Sequence, residues 1–363
     1  MTDDAEPGFR NLTELEAAGI GKMTESARAY VEGGSGAERT LRENLAAFAR
    51  WALRPRALAG SAEVDLRTTL LSESLSAPFF VAPTAYQGTI HPGGECETAQ
   101  AAARTAVLAA FSTFSSRSLE EIAAASGQGS RWFQLYLQPE FEQSAQLVRR
   151  AESAGYTALV LTVDAPMIGV RDRQARGSFA TNLSVRPGNG PQLVEPPASF
   201  RNEGGRLILR PDLAVGWEIL DQLQEVTRMP IVVKGLLTPE DAIQAVDHGA
   251  RAIVVSNHGG RQLDGALTSL EALPDVAEAV GPKAEVYMDG GVRRGSDVLI
   301  ALALGARAVG LGRPILWALA AGGAAGVSHY LELLRYDLAV SMTLAGRSRV
   351  TDIDRTLVQP RKS

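Results

Sequence analysis

Ile253-Val-Val-Ser-Asn-His-Gly-Gly-Arg-Gln-Leu-Asp264 changes character in its middle. Its first three residues are β-branched and apolar and read as the end of a buried strand. The run then turns polar, and two glycines hold a histidine and an arginine at the strand's exit. His258 exchanges a proton near neutral pH. Arg261, three residues on, carries a fixed charge whose planar fork suits a carboxylate. A base beside an anion clamp reads as a catalytic site for an organic acid; the competing reading is a turn with a satisfied histidine. What the neighbouring strands bring to the same place decides between them.

The strand-then-polar pattern recurs from Pro78 onward. Eight short apolar runs alternate with stretches of helical character: Phe79–Ala82, Val107–Phe111, Trp132–Leu135, Ala158–Val163, Ile231–Val233, Ala252–Val255, Glu285–Met288 and Ala308–Leu311. Eight strand-then-helix units predict a parallel sheet closed into an α/β (β/α)8 barrel. Thr238-Pro-Glu-Asp241 sets a capping hydroxyl, a proline and two acids at one helix start. Residues 1–75 read as a helical segment, with periodic runs over Leu12–Ala18, Thr24–Val31 and Leu41–Trp51 and a stop at Gly33-Gly-Ser-Gly36. Residues 76–363 are then the barrel, and the whole is one structural domain. An aperiodic interval over 172–212 follows the fourth strand and is expected to be a mobile lid over the C-terminal mouth.

The 363 residues suit a single large barrel with added segments, and 45% hydrophobic with 21% charged residues is a soluble-enzyme composition. A net charge of -5, with no basic tract interleaved with aromatics, gives no reason to expect nucleic acid. The single cysteine, Cys96, excludes an internal disulfide and reads as a packing residue in a reducing compartment. The acidic N-terminus lacks the form of a signal peptide, and no apolar stretch reaches the ~18 residues that span a bilayer. Arg361-Lys-Ser363 does not match the peroxisomal tripeptide. A cytoplasmic location without membrane contact is expected.

Barrels place chemistry at the C-terminal ends of their strands. In order these give Pro83-Thr-Ala-Tyr86, Ser112, Gln134 with Tyr136, Thr162 with Asp164, Lys234, Ser256-Asn-His258, Asp289-Gly-Gly-Val-Arg293 and Gly312-Arg313. Eight polar exits on one mouth are hard to explain as packing. The glycines and arginines of the last two, with Pro314 starting a helix, suit a phosphate. With Gln134, Thr162 and Ser112 they suggest a phosphorylated cofactor across the mouth. No HExxH, CxxC or ligand cluster calls for a metal.

Ser256-Asn-His-Gly-Gly-Arg-Gln-Leu-Asp264 resembles the signature of the FMN-dependent 2-hydroxy acid oxidases and dehydrogenases, the glycolate-, lactate- and mandelate-oxidising enzymes. Pro83-Thr-Ala, Phe133-Gln-Leu-Tyr136, Leu161-Thr-Val-Asp-Ala-Pro166, Val233-Lys-Gly235, Asp289-Gly-Gly-Val-Arg-Arg294 and Gly312-Arg-Pro314 extend the likeness, in order, over nearly the whole chain. The resemblance implies that His258 takes a proton from an L-2-hydroxy acid while the electron pair passes to flavin N5, as a hydride or after carbanion formation. It further implies Asp164 holding the imidazole, Arg261, Arg171 and Tyr30 on the substrate carboxylate, and Tyr136 on its hydroxyl. FMN would be held by Pro83, Thr84, Ala85, Ser112, Gln134, Thr162, Lys234, Ser256, Asp289, Gly290, Gly291, Arg293, Gly312 and Arg313, with Lys234 near N1. Tyr86 and Phe114 depart from the glycolate enzymes' methionine and tryptophan and are expected to border a larger, aromatic substituent, a pattern resembling hydroxymandelate oxidases. Oxygen is the expected acceptor, giving hydrogen peroxide, since no cytochrome-like domain precedes the barrel, and the likeness implies a homotetramer.

Three rivals stand beside this. A dehydrogenase using a quinone or other carrier shares the motifs. A non-redox FMN barrel isomerase does not call for Arg261 beside His258. A silent flavin-binding scaffold need not keep His258, Arg261, Tyr136 and Lys234 together. His91, His248 and His329 lack such surroundings and read as structural, and Lys234 has pairing with an internal acid as its alternative.

Overall fold

The computed structural model describes residues 9–59, 63–173, 187–190, 201–203, 206–208 and 215–361. Three helices open it: α1 (Leu12–Ile20), α2 (Glu25–Glu32) and α3 (Arg39–Ala49). The Asn11 side chain accepts from the N–H groups of Thr13 and Glu14, and that of Thr24 from Ala27, which satisfies donors each first turn leaves open. Then come β1 (Trp51–Leu53), β2 (Thr68–Leu70) and β3 (Glu73–Leu75).

Eight parallel strands close into the barrel in chain order. They are β4 (Phe79–Val81), β5 (Ala109–Ser112), β6 (Arg131–Leu135), β7 (Leu159–Thr162), β10 (Ile231–Leu236), β11 (Ala252–Val255), β12 (Glu285–Asp289) and β13 (Ala308–Leu311). β8 (Arg201–Glu203) and β9 (Arg206–Ile208) form a separate hairpin after the fourth barrel strand. Helices α4 (Glu95–Arg104), α5 (Leu119–Ser126), α6 (Phe141–Ser153), α7 (Glu218–Val226), α8 (Pro239–Asp247), α9 (Ser269–Val280) and α10 (Gly295–Ala303) follow the strands. Thr238 accepts from the Asp241 N–H at 3.3 Å, the cap its sequence announced. The last helix, α11 (Arg313–Ala345), breaks at Gly322–Gly323, where Glu97 accepts from the Ala324 N–H and restarts it. β14 (Val358–Pro360) ends the described chain.

Phe80, Leu108, Ala110, Trp132, Val160, Val232, Val254 and Tyr287 fill the barrel, and Leu70 and Leu75 of the β2–β3 hairpin join the same cluster. Burying each large side chain contributes about 1.5–3 kcal/mol. The other inward-outward set packs against the helices as the outer core. The N-terminal opening is thus plugged with apolar side chains, and the polar strand exits gather at the other end. No helix among the described residues is long and apolar enough to cross a membrane.

Three expectations need correcting. Trp51 does not end a helix: Trp51–Leu53 pairs with Val358–Pro360, a partner some three hundred residues away that no local pattern reveals. The segment expected to be helical up to residue 75 also holds the β2–β3 hairpin. Its turn residues Leu71 and Ser72 both take positive φ without the Gly or Asn that usually marks such a turn. The interval 172–212 was expected to lack structure but contains the β8–β9 hairpin, with Gly204-Gly205 between the two runs in sequence. The rest of the expected lid, residues 174–186, 191–200, 204–205 and 209–212, lies outside the described residues.

Candidate active site

β11 ends at Val255, and the chain turns sharply: His258, Gly259 and Gly260 all have positive φ, 58°, 64° and 75°. A histidine pays strain there. The Ser256 hydroxyl receives the His258 N–H at 3.0 Å and Asn257 Oδ1 receives the Gly260 N–H at 3.1 Å, fixing the turn. Gly260 must be glycine twice over, since a Cβ would also lie 2.6 Å from the Leu41 nitrogen.

The turn aims the His258 ring between two partners. Nδ1 lies 2.9 Å from Asp164 Oδ1, at the exit of β7, and Nε2 lies 3.2 Å from the Tyr136 hydroxyl, at the exit of β6. Burial pushes Asp164 up, but His258 and Lys234 outweigh it and hold the carboxyl below its ordinary range. An ionised Asp164 accepts a hydrogen bond from Nδ1–H and so leaves Nε2 as the basic nitrogen. Burial lowers the His258 pKa, with Asp164 pulling the other way, so the ring is neutral at pH 7. Burial pushes the Tyr136 phenol well up, so it stays protonated and donates.

Arg261 lies across the face of Tyr30, 4.9 Å from its ring centre, and Nη1 donates to the carbonyls of Tyr30 and Gly33. Arg171 donates to the Arg261 carbonyl at 3.4 Å, and burial beside Arg261 pushes it down to about 10. Arg313 donates to the carbonyls of Val31, Gly33 and Gly259, and burial with Arg261, Arg293 and Arg171 nearby pushes it well down. Arg293 stacks on Trp317 at 4.9 Å. Among the described residues no carboxylate lies within ion-pair distance of Arg261, Arg293 or Arg313. Buried cations without acids call for anions from outside the chain.

Aromatic rings line the approach. Tyr30 meets Tyr86 edge-on at 6.4 Å; Tyr86 stacks with Phe114 at 6.3 Å, Phe114 with Tyr136 at 5.3 Å, and Tyr136 with His258 at 6.4 Å. The Tyr30 hydroxyl donates to the Ala85 carbonyl at 3.3 Å, joining α2 to the Pro83–Ala85 exit. The N-terminal segment therefore supplies part of the mouth.

A polar floor lies beside His258. Lys234 donates to Ser256 Oγ at 3.0 Å and sits 3.3 Å from Asp289 Oδ2, and Ser256 donates to Asp289 Oδ1 at 2.6 Å. Lys234 does pair with an internal acid, yet both partners are residues expected at the mouth. Burial opposes its charge, but Asp289 and Asp164 hold the ammonium protonated. Ser112 Oγ accepts from the Phe114 N–H. Gln134 Nε2 and Thr162 Oγ1 are buried with no partner, at strand ends paired directly with Ser112 and Lys234 in the ladder. Orphaned polar atoms of this kind cost about 1–3 kcal/mol each unless something bonds them. Gly290 and Gly291 follow with φ of 103° and 83°; a Cβ on Gly291 would lie 2.1 Å from the Asn44 carbonyl oxygen, so α3 approaches this loop directly. Asp297 accepts from the N–H groups of Arg293 and Arg294 at 2.9 Å and sets the arginine. Gly312 adjoins Arg313, with open space at its Cα. These unpaired donors and cations fit a polar ring system carrying an anionic tail.

The histidines outside this set serve packing and surface pairing: His248 meets Asp221 at 2.9 Å, His91 accepts from the Gly93 N–H, and His329 packs on Phe9. Several residues that shape the site were not anticipated. Asn44 of α3 and Asn257 exchange two buried amide bonds of 2.8 Å. Asp264 caps α3 by accepting from the Thr40 N–H at 2.9 Å, where the helix's own Glu38 supplies no cap. Gln262 donates to the carbonyls of Asp164 and Met167, tying the β7 exit to the His258 turn. An Asn or Asp in a turn is a capping signal, but its target helix lies far away in sequence.

Fold and site together define a (β/α)8 barrel whose polar mouth sets a buried histidine beside cations that lack acids. The chain belongs to the FMN-dependent dehydrogenase family, whose model matches residues 21–360, and it is an FMN-dependent oxidoreductase. It is 44% identical to a 2-hydroxyacid oxidase 2 from Homo sapiens over 96% of this chain and 97% of that one. An L-lactate oxidase from Nostoc sp. is 45% identical, covering 95% and 96%. A mandelate oxidase variant solved with (S)-mandelic acid superposes with a TM-score of 0.88 at 40% identity, covering 98% of this chain and 99% of that one.

Proposed function

We propose that the protein oxidises an L-2-hydroxy acid to the 2-oxo acid and passes the electrons to oxygen, giving hydrogen peroxide. One observation carries this: the Asp164–His258–Tyr136 line stands beside Arg171 and Arg261, so a base and a carboxylate clamp face the same space. The substrate carboxylate would lie against Arg171 and Arg261, with the Tyr30 hydroxyl turning from the Ala85 carbonyl to be the third donor, and its hydroxyl would lie against Tyr136. His258 takes a proton at Nε2, and Asp164 stabilises the imidazolium that results. Pro83–Ala85, Ser112, Gln134, Thr162, Lys234, Ser256, Asp289–Gly291, Gly312, Arg293 and Arg313 would hold FMN, the arginines at its phosphate. When bound, FMN supplies the two-electron acceptor, and dioxygen takes the pair to leave peroxide.

Tyr86 and Phe114 would face the substrate's α-substituent. Their stacked rings favour a large apolar or aromatic group, and the mandelate oxidase likeness agrees. The single cysteine supports a cytoplasmic site. The exposed Tyr336, Val340 and Leu344, four apart on α11, offer an apolar surface for self-association, and the homotetramer is proposed from the family likeness. A panel of lactate, glycolate, mandelate and a long-chain hydroxy acid, followed in air for peroxide, tests the reading. Stoichiometric peroxide with at least one acid supports it; flavin reduction without peroxide points to a different acceptor, and no reduction with any acid refutes it.

A further inference from the structure

Glu95, the first residue of α4, is fully buried, and among the described residues no cation pairs with it. Its carboxylate is instead filled by donors from two loops. Oε1 accepts from the Gln87 N–H at 3.0 Å and the Ser116 N–H at 2.9 Å, and Oε2 accepts from the Ser116 hydroxyl. Ser116 Oγ in turn receives the Gly88 N–H at 2.8 Å. Gln87, also buried, is gripped at its side chain by Thr98 and Thr84. Burial pushes the Glu95 carboxyl up, and these donors offset part of that cost.

The two loops carry Tyr86 and Phe114. Each ring sits one or two residues from a group that Glu95 holds, and the Tyr86 N–H donates to the Phe114 carbonyl at 3.1 Å. Tyr86 also takes a positive φ of 56°, a strained backbone that persists only where its surroundings fix it. The rings lie parallel within 6°. An acceptor with no proton of its own suits three converging donors better than an amide, which has one acceptor oxygen.

We propose that Glu95 is a positioning residue for substrate selection: its buried carboxylate locks the Tyr86 loop to the Phe114 loop and so fixes the aromatic wall that the α-substituent meets. The proposal rests on the reading of that wall given above. Glu95 touches neither His258 nor the arginines, so it acts on which acid fits rather than on proton transfer.

The FMN-loaded enzyme and its Glu95→Ala and Glu95→Gln variants are compared with lactate and mandelate as small and aromatic probes. Glu95→Ala is expected to change the mandelate-to-lactate ratio of kcat/KM by about tenfold or more, the size of effect a reshaped apolar pocket produces. Glu95→Gln, which keeps one acceptor oxygen, changes it less and in the same direction, and FMN content is unchanged in both. An unchanged ratio, or an equal loss on both acids, overturns the proposal. Phe114→Ala separates the two layers of the reading. A shifted ratio there with none in the Glu95 variants leaves the wall and removes Glu95; an unshifted ratio removes the wall and this proposal with it, while lactate turnover by the parent enzyme still supports the oxidase. Where Glu95→Ala does not fold, Glu95→Gln and Ser116→Ala give the same comparison.

Discussion

At the scale of single residues, the proposed base role makes activity depend on neutral His258. Burial holds its pKa below the ordinary 6.5, while Asp164 pulls it upward. A base works when unprotonated, so kcat/KM falls only as pH drops through that lowered value and is level above it. Asp164→Asn removes the charge that raises the histidine, so the acid limb moves to lower pH. The plateau falls by about 10²-fold, because the imidazolium loses its partner. A limb that moves to higher pH would contradict this assignment. Arg261 is tested by Lys, which keeps the charge but not the fork. With Nη1 committed to the Tyr30 and Gly33 carbonyls, a shorter set of donors cannot serve both backbone and substrate. The KM for the hydroxy acid is expected to rise about tenfold to a hundredfold, the loss of a charge-assisted hydrogen bond. An unchanged KM would take Arg261 off the carboxylate.

At the scale of elements, α3 is docked onto the His258 turn by Asp264 at its start and Asn44 in its middle. Asn44→Ala removes both amide bonds and leaves one Asn257 N–H buried without a partner, while Oδ1 keeps the Gly260 N–H; the loss costs about 1–3 kcal/mol. Thermal unfolding should shift down accordingly, and an unaltered midpoint would show that the pair contributes nothing. This docking also marks where sequence reading stops. The eight barrel strands were legible because each is a short apolar run ending in a polar exit, and strands buried on both faces leave that trace. His258, Asp164, Tyr136 and Lys234 were legible by the same rule, since the exit position names them. The Asn44–Asn257 pair, the Asp264 cap and the β1–β14 pairing join residues about 200 to 300 positions apart, and no local period records such a partner. The β2–β3 turn escaped for a local reason, because Leu71 and Ser72 adopt positive φ against their preference.

At the scale of the molecule, Arg293, Arg313 and Arg261 concentrate positive charge at one mouth of a barrel whose other end is closed by Leu70 and Leu75. Like charges buried together cost stability until an anion joins them. FMN should therefore raise the unfolding temperature, by the equivalent of about 2.7 kcal/mol at a hundredfold excess over its Kd. Inorganic phosphate should recover part of that gain in the flavin-free protein but not in Arg313→Ala. Equal protection of both by phosphate would remove Arg313 from the phosphate site. The central claim, that His258 is the base beside a bound flavin, is tested by mixing enzyme and substrate without oxygen. With the acid that the panel identifies, the parent protein should lose its flavin absorbance. His258→Ala should keep its full flavin content and reduce it about 10²–10⁴-fold more slowly. Bleaching at the parent rate in His258→Ala would contradict the account.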